Sequence, residues 1–238
     1  MGIWDTLKLD PDRHRMVALV GGGGKSSTMY ALARQAADSG KTVVVTTTTH
    51  ILPHPKLPLT GDPAALPHLL AKHRVVTLGR YDARGKLTGA GDPADDLAAA
   101  DVVLIEADGA KLRPLKAPAD HEPVIPPQTH AVIGAAGLDC VGKPIGEICH
   151  RPEWVAALLG TGLDHILTPA DVAAVLASPQ GGRKGVSPAM AYRCLLNKAD
   201  DDPRRAMGQE IQALLAQQGI FSAITYYTEE ERGGLCLF

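Results

Sequence analysis

A chain of 238 residues with 45% hydrophobic side chains is long enough to bury a full core and too apolar to stay unfolded. Its formal net charge of −2, with no basic tract, excludes nucleic acid as a dedicated partner, because phosphate-backbone binding needs clustered lysine and arginine. No apolar run reaches membrane-spanning length, the start lacks the order of a signal peptide, and cysteines at 140, 149, 194 and 236 make no disulfide framework, so a cytoplasmic protein without a membrane partner is expected.

Residues 1–15 read as a short amphipathic lead-in to a first strand over 16–20. Gly21, Gly22, Gly23 and Gly24 follow, then Lys25, Ser26 and Ser27. That is the order of a phosphate cradle: a strand, a tight loop whose glycines turn N–H groups onto an anion, and a helix aiming its positive end at the same place. Lys25 is placed to reach terminal phosphates and to act catalytically, and Ser26 to offer its hydroxyl to Mg²⁺. The P-loop pattern is incomplete, since Leu19 stands where its first glycine belongs. A glycine-rich turn with a solvated lysine is the other reading.

A helix is predicted over 26–38, with Tyr30, Leu32 and Ala33 toward a sheet and Gly40 as its stop. The β-branched run 42–46 is a second strand, buried on both faces, running into Thr46, Thr47, Thr48, Thr49 and His50. Those hydroxyls, Thr47 as the candidate, either meet Mg²⁺ or substrate or bond to backbone. The proline-rich stretch 51–67 reads as a loop. A helix at 64–73, a strand at 75–78, a hairpin or excursion at 81–92 and a helix at 93–100 come next.

Residues 101–109 form a buried strand ending in acids. Four apolar residues before Glu106 make a Walker B pattern, which holds the metal or its waters. Glu106 and Asp108, two apart on an extended chain, point the same way, so Glu106 is expected to hold Mg²⁺ with Ser26 and Asp108 to act catalytically. A simple turn at Asp108 and Gly109 is the alternative. The stretch 108–129 then carries Lys111, Arg113, Lys116, His121 and Glu122 among prolines. It reads as an ordered lid or pocket wall whose Lys111, Lys116, His121 and Glu122 meet an anionic substrate, or as a solvated charged loop.

A strand at 131–135 and helices at 152–159 and 169–177, each opening on proline, lead to a glycine-rich loop at 180–185. Its Arg183 and Lys184 either close over phosphates or stay solvated. The strand 192–196 runs into Asn197-Lys198-Ala199-Asp200, which looks like the guanine-reading motif of GTPases. There the aspartate accepts hydrogen bonds from the guanine N1–H and exocyclic amine, the lysine stem lies along the base, and the asparagine steadies the loop. Otherwise Asp200 caps a helix at 203–217, whose Met207, Ile211, Leu214 and Leu215 keep a helical spacing. A last strand at 223–227 precedes an acidic tail. Cys140, Cys149 and His150 either bind metal or selenium or are ordinary buried side chains, and Cys194 is packing.

Strands alternating with helices mean an α/β fold, a doubly wound and mainly parallel sheet of P-loop NTPase type. One nucleotide-binding domain is expected over 1–238, with 108–129 inserted as a substrate loop.

Taken together, residues 17–27, 46–50, 106–111, 116–118, 121–126, 142–144 and 150–153 resemble the YqeC family, named as accessory proteins of selenium-dependent molybdenum hydroxylases. The resemblance implies a P-loop nucleotide-binding protein in maturation of a selenium- and molybdenum-containing cofactor. A pterin-type molybdenum cofactor or a molybdenum hydroxylase is then the partner. A looser similarity is to metallochaperone GTPases of nickel enzymes, which hold metal through a Cys–His pair at a homodimer interface. Here Cys149-His150 lies after the Walker B strand rather than before it. The expected activity is Mg²⁺-dependent GTP hydrolysis or phosphoryl or nucleotidyl transfer. An ATP-dependent small-molecule kinase and a metal or selenium carrier switched by nucleotide are the alternatives.

Overall fold

Strand β1 (Met16–Gly21) carries Val17 and Leu19 on one face and Met16, Ala18 and Val20 on the other, all buried. A strand apolar on both faces belongs in the middle of a sheet covered on both sides. The computed structural model, which describes residues 2–227, has it there. The other strands of the main sheet are β2 (Val43–Thr47), β3 (Leu59–Thr60), β4 (Val75–Leu78), β5 (Val102–Glu106), β6 (Ala131–Gly137), β7 (Ala191–Asn197) and β8 (Phe221–Ile224). Their order is β8-β7-β6-β1-β5-β2-β4-β3, and every pairing is parallel. This is the doubly wound α/β sheet expected.

The order reverses at β1. The chain builds outward through β2, β3 and β4, returns with β5, then adds β6, β7 and β8 on the far flank. In open parallel sheets, ligands sit outside the carboxyl ends of the strands at that reversal. The glycine loop opens there.

Helix Lys25–Asp38 covers one face with Met29, Tyr30, Leu32, Ala33 and Ala36. Helix Ile3–Thr6 packs beside it, its Trp4 donating the indole N–H to Leu32 O at 3.0 Å. Leu66 and Leu70 of helix Leu66–His73 cover the other face. Helices Pro152–Leu159, Pro169–Ala177 and Asp202–Gln217 build a further core with Val155, Leu176, Ile211 and Leu215 against Leu138 and Leu196. Burying each such side chain contributes about 1.5–3 kcal/mol.

Three features depart from expectation. The last strand is Phe221–Ile224 rather than 223–227. Gly219, at φ +70°, turns the chain early enough for Phe221 to pair with Arg193, and β7 ends at Asn197, so 226–227 have no strand to join. Edge strand β3 lies inside the stretch read as loop. Leu115–Lys116 pairs in parallel with Cys149–His150, a ribbon tying the 108–129 stretch to the chain ahead of helix Pro152–Leu159. The expected hairpin is present, Arg80–Tyr81 against Leu87–Thr88. The acidic tail and Cys236 lie outside the described residues. Among those residues no helix is long and apolar enough to cross a membrane.

Candidate functional site

The loop after β1 lies so close to β6 that side chains have no room. A Cβ on Gly23 would stand 2.0 Å from Gly137 N, and one on Gly24 2.1 Å from Asn197 Nδ2, with φ at +68° and +120° respectively. Only glycine adopts such backbone at little cost. Contrary to the expectation from sequence, the N–H groups do not all turn inward. Gly22 donates to Ala135 O (2.9 Å), Gly23 to Arg113 O (3.1 Å) and Gly21 to Asp108 Oδ2 (3.0 Å). Those bonds hold the loop. The uncapped donors begin the helix at Lys25, Ser26 and Ser27, because N-cap Gly24 has no side chain to satisfy them.

Lys25 is buried at 5% exposure, its Nζ 2.5 Å from Gly21 O, 3.1 Å from Asp108 Oδ1 and 3.9 Å from Glu106 Oε1. The contact to Asp108 is an ion pair rather than an aligned hydrogen bond. Ser26 Oγ donates to Glu106 Oε2 at 2.9 Å. Burial raises the Glu106 pKa, opposed by the Lys25 charge and the Ser26 hydrogen bond. The glycines, Lys25, Ser26, Glu106 and Asp108 therefore converge. Thr47 is near but engaged, its hydroxyl donating to Glu106 O at 2.8 Å and receiving Thr49 N–H at 2.9 Å. Thr46 and Thr48 also donate to backbone carbonyls, which is the structural alternative weighed for this run.

The 108–129 stretch is a packed wall, buried from Pro114 to Ala119. Lys116 Nζ lies 2.6 Å from Gly109 O, 2.8 Å from Glu122 Oε2 and 3.2 Å from Asp108 Oδ2, and Arg151 Nη2 is 3.1 Å from Glu122 Oε1. Of the residues predicted to meet substrate, Lys116 and Glu122 join the site through Asp108, while Lys111 and His121 are exposed. Lys184 donates to Ala119 O at 2.6 Å and so props this wall, and Arg183 lies over the Tyr192 ring at 5.9 Å. Burial opposes ionisation of Glu122, but the hydrogen bonds and charges of Lys116 and Arg151 together outweigh it and bring its pKa down to about 2. A depressed carboxyl stabilises the fold above its unfolded pKa of 4.5 and loses that contribution as pH falls toward 2. Between those limits Glu122→Gln is expected to flatten the acid limb of a chemical-denaturation series by about 2 kcal/mol. An unchanged limb would show that the wall is not held this way.

Asn197 is buried at the end of β7, donating Nδ2–H to Gly23 O at 2.9 Å and accepting from Thr225 at 3.2 Å. Lys198, in left-handed backbone at φ +64°, pairs with Asp139 at 2.7 Å. Asp200 is exposed and pairs with Arg204 at 3.1 Å. The helix cap is Asp201, which accepts from Arg204 N–H, so the capping alternative for Asp200 is corrected by one residue. The helix begins at Asp202, placing Pro203 in its first turn. The structure thus sets Asn197 against the glycine loop, with Lys198 and Asp200 at the same strand end.

A family model described as "YqeC protein" matches residues 17–153, more than half of the chain. The chain belongs to the YqeC family. An Escherichia coli (strain K12) protein described as "Uncharacterized protein YqeC" is 37% identical over 184 residues, spanning 73% of this chain and 72% of that one.

The YqeC match runs from β1 through the glycine loop, the Glu106 strand end and the wall, and stops at Glu153. Asn197, Lys198 and Asp200 lie beyond it. Within the YqeC span, Cys140 and Cys149 are buried, and burial pushes the Cys149 thiol up to about 12 and Cys140 higher still, which disfavours the thiolate a metal needs. Cys194 is buried in β7. Among the described residues no three His, Cys, Asp or Glu side chains gather as a metal cluster. Arg151 and Thr225 join the site with no role expected of them from sequence. No local signal marks either residue, since each acts through a partner distant in sequence.

Proposed function

We propose that this YqeC-family chain binds a purine nucleoside triphosphate with Mg²⁺, GTP ahead of ATP, and hydrolyses or transfers its terminal phosphoryl group. The reading is carried by the convergence, at the reversal point of the sheet, of the uncapped helix start, Lys25 and the Ser26–Glu106 pair. The helix start and Lys25 suit the phosphates. Asp108, holding both Lys25 and Gly21 N–H, positions the lysine and the loop.

Ser26 and Glu106 are the residues that would hold Mg²⁺. They fit: a hydroxyl and a carboxylate meet at 2.9 Å, and a neighbouring cation relieves the burial that disfavours the Glu106 charge. When bound, the ion neutralises charge on the phosphates. Asn197, Lys198 and Asp200 favour guanine, since Asn197 links the strand end to the glycine loop. A role in maturing a molybdenum hydroxylase cofactor, with a pterin-type cofactor or the hydroxylase as partner, rests on the family resemblance. The wall of Lys116, Glu122 and Arg151 against Asp108 favours a second reading, transfer to a small acceptor instead of water.

Calorimetric titration with GTP and ATP in Mg²⁺ tests binding, and product analysis tests the reaction. Free phosphate alone means hydrolysis, and a modified small molecule means transfer. No binding of either nucleotide would end the proposal. Glu106→Gln is expected to raise the Mg²⁺ concentration for half-maximal phosphate release about tenfold, because a charged oxygen ligand is lost. An unchanged magnesium titration would leave Glu106 a structural partner of Ser26.

A further inference from the structure

The ribbon of Leu115–Lys116 and Cys149–His150 sets His150 beside Lys116 in register, so both side chains leave the same face. His150 is partly buried, and its ring has no hydrogen-bond partner among the described residues. Burial lowers its pKa, Lys116, Arg151 and Lys111 lower it further, and Glu122 opposes them. Arg151 follows in left-handed backbone at φ +55° and reaches Glu122 through Nη2, while its buried Nε–H has no partner among the described residues. A buried guanidinium donor left unpaired is costly and calls for an acceptor. Lys116 sits between Asp108 and Glu122, Arg151 reaches Glu122, and the charge of the exposed Lys111 also acts at His150. Lys25, Lys111, Lys116 and Arg151 thus stand against Glu106, Asp108 and Glu122, beside a planar fork with an unpaired buried N–H and an imidazole without a hydrogen-bond partner among the described residues.

We propose that Lys111, Lys116, His150 and Arg151 form an oxyanion site for a second substrate, a small molecule bearing a phosphate or carboxylate group. Its place beside the nucleotide rests on the reading above, through the Lys116–Asp108–Lys25 chain of contacts, but its capacity for an oxyanion does not. Arg151 supplies directional donors and Lys111 and Lys116 supply charge. An anion arriving among them stabilises the imidazolium, so binding raises the pH at which His150 titrates.

The test is an NMR pH titration of the His150 ring in the full chain, assigned with His150→Gln, in the presence of inorganic phosphate or citrate. One or both anions are expected to raise the His150 pKa, a phosphate-only response indicating a phosphorylated substrate and a citrate-only response a carboxylate. Arg151→Met is expected to weaken the responding anion about tenfold or more. Lys111→Met, at an exposed position, is expected to weaken it too and carries the test should Arg151→Met fail to fold. Lys25→Ala is expected to keep a response, weakened because Asp108 is then left to Lys116, even if it abolishes nucleotide binding, which separates this site from the glycine loop. The proposal is overturned if neither anion moves His150, if folded Arg151→Met responds like the parent, or if Lys25→Ala removes the response.

Discussion

Lys25→Ala is expected to lose about a hundredfold in affinity for nucleoside triphosphate while keeping the circular dichroism of the parent. The affinity loss follows from removing the one ammonium group at the helix start, whose uncapped N–H groups alone cannot neutralise a triphosphate. The fold survives for a reason that the structure adds. Lys25 is buried against Asp108, so a cavity and a missing charge are left, but Asp108 keeps Gly21 N–H and Lys116. A partly compensated loss of this kind costs about 1–2 kcal/mol. Calorimetric titration measures the affinity and chemical denaturation the stability. Parent-like binding of GTP by the variant would remove the glycine loop from consideration as a phosphate site. A collapse of stability by several kcal/mol would instead assign Lys25 to the core.

The parts of this site that depend on local sequence were legible, and those that depend on partners distant in the chain were not. Strands β1 and β5 announce themselves through the unbroken apolar runs 16–20 and 102–105, and helix Lys25–Asp38 because its buried positions recur at helical spacing. Glycines 21 to 24 signal a loop that must bend tightly. Yet nothing local says that Gly22 and Gly23 donate to Ala135 and Arg113, because those acceptors arrive from β6 and from the wall. The Leu115–Lys116 and Cys149–His150 ribbon has two residues a side, too short for any period, so the convergence of Lys116, His150 and Arg151 stays hidden in sequence. Thr47 runs the other way. Its hydroxyl type suits a phosphate site, but in this geometry it bonds Glu106 O. The helix cap falls on Asp201 rather than Asp200, a one-residue slip that composition cannot resolve where three aspartates run together.

The second large effect concerns the base. Asn197 bonds the glycine loop, and the strand end it belongs to carries Lys198 and Asp200, the groups that the proposed reading gives to the base. Asp200 pairs with Arg204 at the surface, 35% exposed on each side, and such a pair costs under about 1 kcal/mol to break. The proposed reading has this carboxylate accept from the N1–H and exocyclic amine of guanine. Adenine lacks that donor pair and leaves the carboxylate unsatisfied. Because Asp200 is exposed, the discrimination is smaller than in a closed pocket, about 1.5–3 kcal/mol, or roughly tenfold to 150-fold in favour of GTP. Asp200→Asn is expected to erase that preference and favour xanthine nucleotides, whose C2 oxygen accepts from the new amide while N1–H still meets the side-chain oxygen. Competition binding of GTP, ATP and XTP to parent and variant measures both changes. Equal affinity of the parent for GTP and ATP would return Asp200 to its surface pair with Arg204 and leave ATP as the nucleotide.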